Sequence, residues 1–277
     1  MATSAGAGDP VRTLELLWEV RQHSGLGRKP ELSLDQVVSA AIELADAEGL
    51  DSLSMRRVAE RLGVSTMSLY RYVPGKTEMF DIMVDRVSAE VCYHHEDGDG
   101  GRDGWRSRLE QVVRANRALF ERHPWLLTLF PRRPPLGPGV IAKYSAELHA
   151  IDGIGLTDVE MDSVLTLVLE YARGATANLI EWKKFSARAE QSDDQWWATL
   201  APHLDRLLDQ ERYALAVRVG SAATTHYNGV HDAEHAFEFG LQRVIDGIES
   251  FVDDKCLPAE DDLLTDALPE GKRPSRR

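Results

Sequence analysis

Residues 54–76, SMRRVAERLGVSTMSLYRYVPGK, decide the fold, because they read as two short helices joined by a tight turn with basic and aromatic side chains on one side. Ser54 is placed to cap the first helix, and Met55, Val58, Ala59 and Leu62 recur at helical spacing as its buried stripe. Gly63 ends that helix. A residue without a Cβ tolerates the left-handed backbone that a sharp exit requires, and Val64 can plug the angle between the helices. Ser65 caps the second helix, read over 66–72, whose inward positions are Leu69 and then Val73. Thr66, Met67, Ser68, Tyr70, Arg71 and Tyr72 are left to face outward.

A helix–turn–helix lays its second helix in the DNA major groove, with the residues near its N-terminus at base edges and the first helix against the backbone. Charge agrees with this placement. Between Leu53 and Lys76, Arg56, Arg57, Arg61, Arg71 and Lys76 stand against Glu60 alone, inside a chain of formal net charge −13. The pattern by itself also fits a surface helical hairpin whose arginines only solvate it.

Residues 34–83 resemble the N-terminal domain of the TetR family of transcriptional regulators. The resemblance rests on an alanine-rich first helix, EGL at 48–50, VAERLGVS at 58–65, LYRYV at 69–73 and the lysine at 76. It implies that Arg56, Thr66, Met67, Ser68 and Arg71 face bases, while Ser54, Ser65, Tyr70, Tyr72 and Lys76 hold phosphates. The family more often has a polar or small residue at position 67, so Met67 is expected to touch a thymine methyl or only to pack. An arm before the head often reaches the minor groove in this family, which makes Arg28 and Lys29 candidates; a solvated linker is the alternative. The family's larger domain encloses a small-molecule pocket, and its last two long helices build a homodimer that binds a palindromic operator. RRPPLGPG at 132–139 is similar, more loosely, to family members whose larger domain is like the tetracycline repressor's. Tetracycline and its magnesium ligands are not carried over.

At 277 residues the chain has room for a head of about 60 residues and a larger unit with its own core. Hydrophobic content of 43% and charged content of 28% describe an ordinary globular protein. No apolar run reaches the roughly 20 residues needed to span a bilayer, so no membrane partner is expected. MATSAGAGDP lacks the pattern of a signal peptide, and Cys92 and Cys256 make no disulfide framework, so the expected compartment is cytoplasmic. An acidic total does not exclude nucleic acid, since binding depends on the local face.

The helical period continues throughout, and no β-period appears. Residues 1–27 read as a flexible arm, with a possible short helix at 11–22; 28–92 as the DNA head with its connecting helix; 103–254 as a ligand and dimer domain; and 255–277 as a loose tail. Ser33 and Gln36 form a capping box for the head's first helix, Leu34–Glu48. A helix over 77–93 leaves the head, and 94–104 is a glycine-rich acidic break. Helices follow over 105–122, 125–130, 139–151, 156–188 and 211–218, with an acidic, tryptophan-containing segment at 192–209. A loop is read over 220–230, and a final helix capped by Asp232 carries Phe237, Leu241, Val244, Ile245, Ile248 and Phe251 on one stripe. Residual apolar surface on this helix and on 168–179 is expected to form the dimer contact, with Leu241 as its test position.

His231, Glu234 and His235 spell the HxxEH of an inverted zinc-protease signature, but the first histidine stands at a helix start and no distant ligand is identifiable. They read as surface histidines, as do His94 and His95 in the acidic break. No nucleophile elbow or dinucleotide loop occurs, so neither catalysis, a metal nor a cofactor is expected. Glu170 and Arg173, one turn apart on the long helix, can pair with each other or meet a ligand. Trp125, Phe130, Tyr144, Glu170, Tyr171 and Trp182 are the candidate lining of a mostly apolar pocket, although the same residues could fill core. The expected protein is an all-α, homodimeric repressor that binds double-stranded operator DNA and is released by a small-molecule effector. A small-molecule enzyme carrying an incidental helical hairpin, and a DNA-binding activator without a ligand, are the alternatives.

Overall fold

The computed structural model describes residues 9–18, 32–91, 93, 104–129, 133–227, 229 and 231–256. Arg28, Lys29, Phe130, His94, His95, Cys92, most of the acidic break and the tail after Cys256 lie outside them. Every regular element among the described residues is helical.

Short-range chemistry sets the head. Asp9 opens α1 (Pro10–Leu17) by accepting the Val11 and Arg12 N–H groups. The Ser33–Gln36 capping box opens α2 (Leu34–Glu48), and a 3-10 turn at Leu50–Ser52 leads to α3 (Met55–Leu62). Ser54 Oγ accepts the Arg57 N–H at 3.3 Å, and Gly63 closes α3 with φ 68°, the left-handed turn expected of it. Ser65 then caps α4 (Thr66–Leu69), which ends three residues before Tyr72. There the chain tightens, with the Tyr72 and Val73 N–H groups both donating to the Leu69 carbonyl. Pro74 disfavours a helical residue before it and so fixes this early stop.

Next come α5 (Lys76–Ser88), shorter than the 77–93 helix expected, and α6 (Trp105–Arg122). Where a helix was expected over 125–130 there is a 3-10 turn, Pro124–Leu127, and then α7 (Pro138–Leu148). The strut α8 (Asp158–Arg188) has 31 residues and opens with a Thr157–Glu160 capping box. α9 (Asp193–Leu207), α10 (Ala214–Tyr227) and α11 (Ala233–Cys256) complete the chain, and Asp232 Oδ1 accepts the His235 N–H at the head of α11. α10 corrects the loop read over 220–230. Gly220 lies inside this helix, where a glycine costs only about 1 kcal/mol relative to alanine and does not end it.

Two cores result. In the first, Val37, Ala41 and Leu44 of α2 pack with Val58 of α3, Leu69 of α4 and Met79, Phe80 and Met83 of α5, joined by Trp125 and Leu129 from beyond α6. The second joins Leu109, Val112 and Val113 of α6 to Val164, Leu165, Val168 and Ala172 of α8 and to Phe237, Leu241, Ile245 and Ile248 of α11. This corrects the dimer stripe read on the last helix. Leu241, at 0% exposure, is core, and Phe239, Arg243, Gly247 and Phe251 are among the residues that α11 turns outward.

Candidate functional site

Three helices hold the outer face of the head, and they hold it by ion pairs as well as packing. Arg57 makes a bidentate pair with Glu48 of α2 at 2.6 and 2.7 Å, and Arg61 pairs with Glu43 at 2.6 Å. The Arg57 bonds pull the Glu48 carboxyl below its ordinary value. Counting charge only over 53–76 missed this, because the partners lie on α2. Arg57 and Arg61 therefore brace α3 on α2, although Arg61 stays exposed, and beside them Arg56 and Arg71 turn outward, with Lys76 half-exposed nearby. Arg56 is 79% exposed at its side chain and lies 3.2 Å from Glu60 one turn on.

Around Arg71 stand Met67, 75% exposed, and the exposed Tyr70. Thr66 and Ser68 are half-buried, and Ser65 Oγ is shared between the Ser68 N–H and its hydroxyl. Lys76 begins α5 with its ammonium 5.3 Å from the centre of the Phe80 ring. Tyr72 departs from the outward set. It is half-buried and donates its hydroxyl to the Leu32 carbonyl at 2.7 Å, so it ties the segment before α2 to the turn after α4.

A second site lies among α5, α6, α7 and α8: a cavity of about 380 Å³ with Val84, Leu119, Phe120, Leu126, Leu129, Val140 and Leu169 among its apolar walls. Its polar groups include Asn116, Lys143 and Glu147, which are hydrogen-bonded together, and Glu170, which is near Arg173. Glu147 is 1% exposed and is held by three donors, Tyr93 Oη at 2.6 Å, Asn116 Nδ2 at 2.7 Å and Lys143 Nζ at 2.5 Å. Burial and the adjacent carboxylate push the Tyr93 phenol far up, so it stays a donor.

Of the expected lining, the structure brings Tyr144 and Glu170 to this cavity. Trp125 is buried in the head's core, where its indole N–H donates to Asp46. Tyr171 packs on α11 with its hydroxyl on the Phe237 carbonyl, and Trp182 lines a different cavity, of about 550 Å³, with Phe185 and Trp196. Periodicity finds which side of a helix is apolar but not which apolar residue meets empty space. Asn116, Lys143 and Glu147 were missed because single polar residues on otherwise ordinary helices carry no local signal. Among the described residues, no group of three or more His, Cys, Asp or Glu side chains is set to hold a metal ion. None of the described helices is long and apolar enough to cross a membrane.

The chain is similar to known proteins over both sites. Residues 37–83 match the family described as bacterial regulatory proteins, tetR family, and 97–252 match the tetracyclin repressor-like C-terminal domain. HTH-type transcriptional repressor DrrR1 of Streptomyces coeruleorubidus is 43% identical over 249 residues, 90% of this chain and 89% of that one. Tetracycline repressor protein class A from transposon 1721, of Escherichia coli, is 34% identical over 219 residues, 79% of this chain and 91% of that one. Among solved structures, apo ActR of Streptomyces coelicolor superposes with a TM-score of 0.64 at 25% identity, covering 82% of this chain and 99% of its own. ActR in complex with actinorhodin gives 0.64 at 25% identity, covering 80% of this chain and 99% of its own.

Proposed function

The chain belongs to the tetR family of bacterial regulatory proteins, and from that membership we propose that it is a transcriptional repressor which binds a palindromic operator as a homodimer and is released by a small, mostly apolar molecule. The observation that carries this reading is the double membership of α5. Met79, Phe80 and Met83 belong to the head's core, while Val84 and Ser88 of the same helix line the cavity. A molecule that favours one setting of α5 thereby biases the position of the head, and two heads must lie about 34–36 Å apart to enter successive major grooves.

On the DNA side, Arg56, Met67, Tyr70 and Arg71 form the outward surface, with Ser54, Thr66, Ser65, Ser68 and Lys76 around it, and Arg28 and Lys29 join them as candidates from the arm. Tyr72 enters this set only through its hydroxyl oxygen, since its proton is given to Leu32. The proposed ligand lining is Tyr144, Glu170, Asn116, Lys143, Glu147 and Arg173. For the dimer, supporting features are Leu167 and Gly174 on α8 and Phe239, Gly247 and Phe251 on α11, all turned outward, with open space where a Cβ would stand at Gly174 and Gly247. Close helix approach under two-fold symmetry covers such a patch with its own copy.

The test is a gel shift with DNA flanking the protein's own gene, repeated in the presence of candidate effectors. Actinorhodin and (S)-DNPA, the compounds bound to ActR, are the first to try. Saturable binding to a palindrome, weakened by a cavity ligand, is expected. Turnover of a small molecule without any DNA binding would favour the enzyme reading instead.

A further inference from the structure

Helix α7 has no cap of its own. Gly137 stands at its N-cap without a side chain to offer, Pro138 has no N–H, and the next amides need an acceptor from elsewhere. Asp85 of α5 supplies it: its Oδ1 accepts the Val140 N–H at 2.9 Å, and the neighbouring Gly139 N–H favours the same carboxylate. The approach is close enough to dictate sequence. A Cβ on Gly137 would lie 2.3 Å from Asp85 Oδ1, and one on Gly139 would lie 2.1 Å from the Asp85 carbonyl oxygen. The glycines of the GPG segment thus serve a tertiary contact and not merely a turn. Trp18 of the segment after α1 fixes the same loop from outside, donating its indole N–H to the Leu136 carbonyl at 2.9 Å.

This joint sits between the two sites. Val140, whose N–H Asp85 holds, also lines the cavity with its side chain, as do Lys143, Tyr144 and Glu147 further along α7. Asp85 lies two residues beyond Met83, which is fully buried in the head's core, and its neighbour Arg86 pairs with Asp35 at the start of α2. We propose that the Asp85 cap on α7 is the positioning contact through which the state of the cavity wall and the state of the DNA head are coupled. The inference rests on the reading of the chain as a DNA-binding regulator. Displacement of Val140 by a cavity occupant draws on Asp85 and so on α5, and by linkage DNA held by the head must change the freedom of α7. The cap is the link because Gly137 and Gly139 are both set directly against Asp85.

The reverse direction needs no known effector. The full chain is taken with a DNA fragment to which it binds saturably in a gel shift, and residue-resolved amide exchange is followed over 142–147, beyond the capped amides themselves. In the native protein DNA is expected to change exchange there by about fivefold or more, the lower end of ordinary coupling. Asp85→Asn, which keeps the acceptor, should retain this response. Asp85→Ala should lose the response while DNA binding persists, and Gly137→Ala, which leaves Asp85 in place but pushes the loop away, should lose it too. A purely structural cap would raise the baseline exchange of Asp85→Ala and leave the DNA response intact, and that result overturns the inference. So does a native α7 indifferent to bound DNA. If Asp85→Ala does not fold by circular dichroism, Gly137→Ala decides alone. If no fragment binds saturably, the regulator reading has failed first, visibly in the gel shift, and the coupling falls with it.

Discussion

Trp125 donates its indole N–H to Asp46 over 2.7 Å, and so the segment after α6 is bonded to the first helix of the head. His123 lies 2.8 Å from the same oxygen and 3.2 Å from Glu90 beyond the end of α5. A hydrogen bond to a charged group contributes about 1.5–3 kcal/mol. Trp125→Phe removes that donor and also shrinks a buried ring, so urea denaturation should show a loss of at least this size. An unchanged midpoint would mean that the bond contributes nothing to holding the head on the larger domain.

Arg56 and Lys76 should differ in kind. If Arg56 reads a base, Arg56→Ala loses about 1–3 kcal/mol on the operator and relaxes the preferred sequence, whereas Lys76→Ala weakens all DNA similarly and lowers the salt slope by about one. Anisotropy titrations on operator and random duplexes at several salt concentrations separate the two. Equal losses on both duplexes for Arg56→Ala would remove it from the base-reading set.

The proposed dimer face is tested at Phe239, which is 56% exposed on α11, and not at the buried Leu241. Phe239→Arg should leave the fold intact by circular dichroism and shift sedimentation toward the monomer at micromolar protein. Leu241→Arg should instead unfold the chain, since it puts a charge into the core formed with α6 and α8. A Phe239→Arg protein that sediments like the native one would place the contact elsewhere.

Asp85 gives a pH dependence with a definite sign. Burial raises its carboxyl above the ordinary value, against the lowering effect of the Val140 and Gly139 N–H groups and Arg86. A carboxyl raised on folding holds its proton more tightly in the folded state. Its contribution is therefore fully present in acid below the ordinary carboxylate value and is lost as pH rises through the folded one. Asp85→Asn keeps the acceptor without the charge, so it should be more stable than the native protein at neutral pH, with the gap closing as pH falls to the ordinary carboxylate value. Thermal melts across that window would show the opposite trend if the charged form were the favoured cap.

What could be read from sequence was what is local. Ser33, Ser54, Ser65 and Asp232 cap the helices they precede, and Gly63 takes the left-handed turn, because each effect acts within a few residues. What escaped depends on distance along the chain. Tyr72 is drawn inward by Leu32, Arg57 and Arg61 are matched by glutamates on α2, and Glu147 is satisfied by Tyr93 and Asn116 from other segments. Leu241 and Phe239 are two residues apart, and periodicity alone cannot say whether the apolar face of a long helix meets its own chain or a second copy. Gly137 and Gly139 are required by Asp85 on a different helix, a contact that no local pattern carries.

The most direct test is a closed binding cycle. A compound that raises the melting temperature, and loses that effect in Glu170→Ala or Arg173→Ala, is titrated into the free protein and into the protein saturated with operator. Operator is then titrated with and without the compound. The two ratios should agree, with operator affinity falling about 5- to 150-fold and compound affinity falling by the same factor. Equal affinity of such a compound for the free and operator-bound protein would contradict release through the cavity.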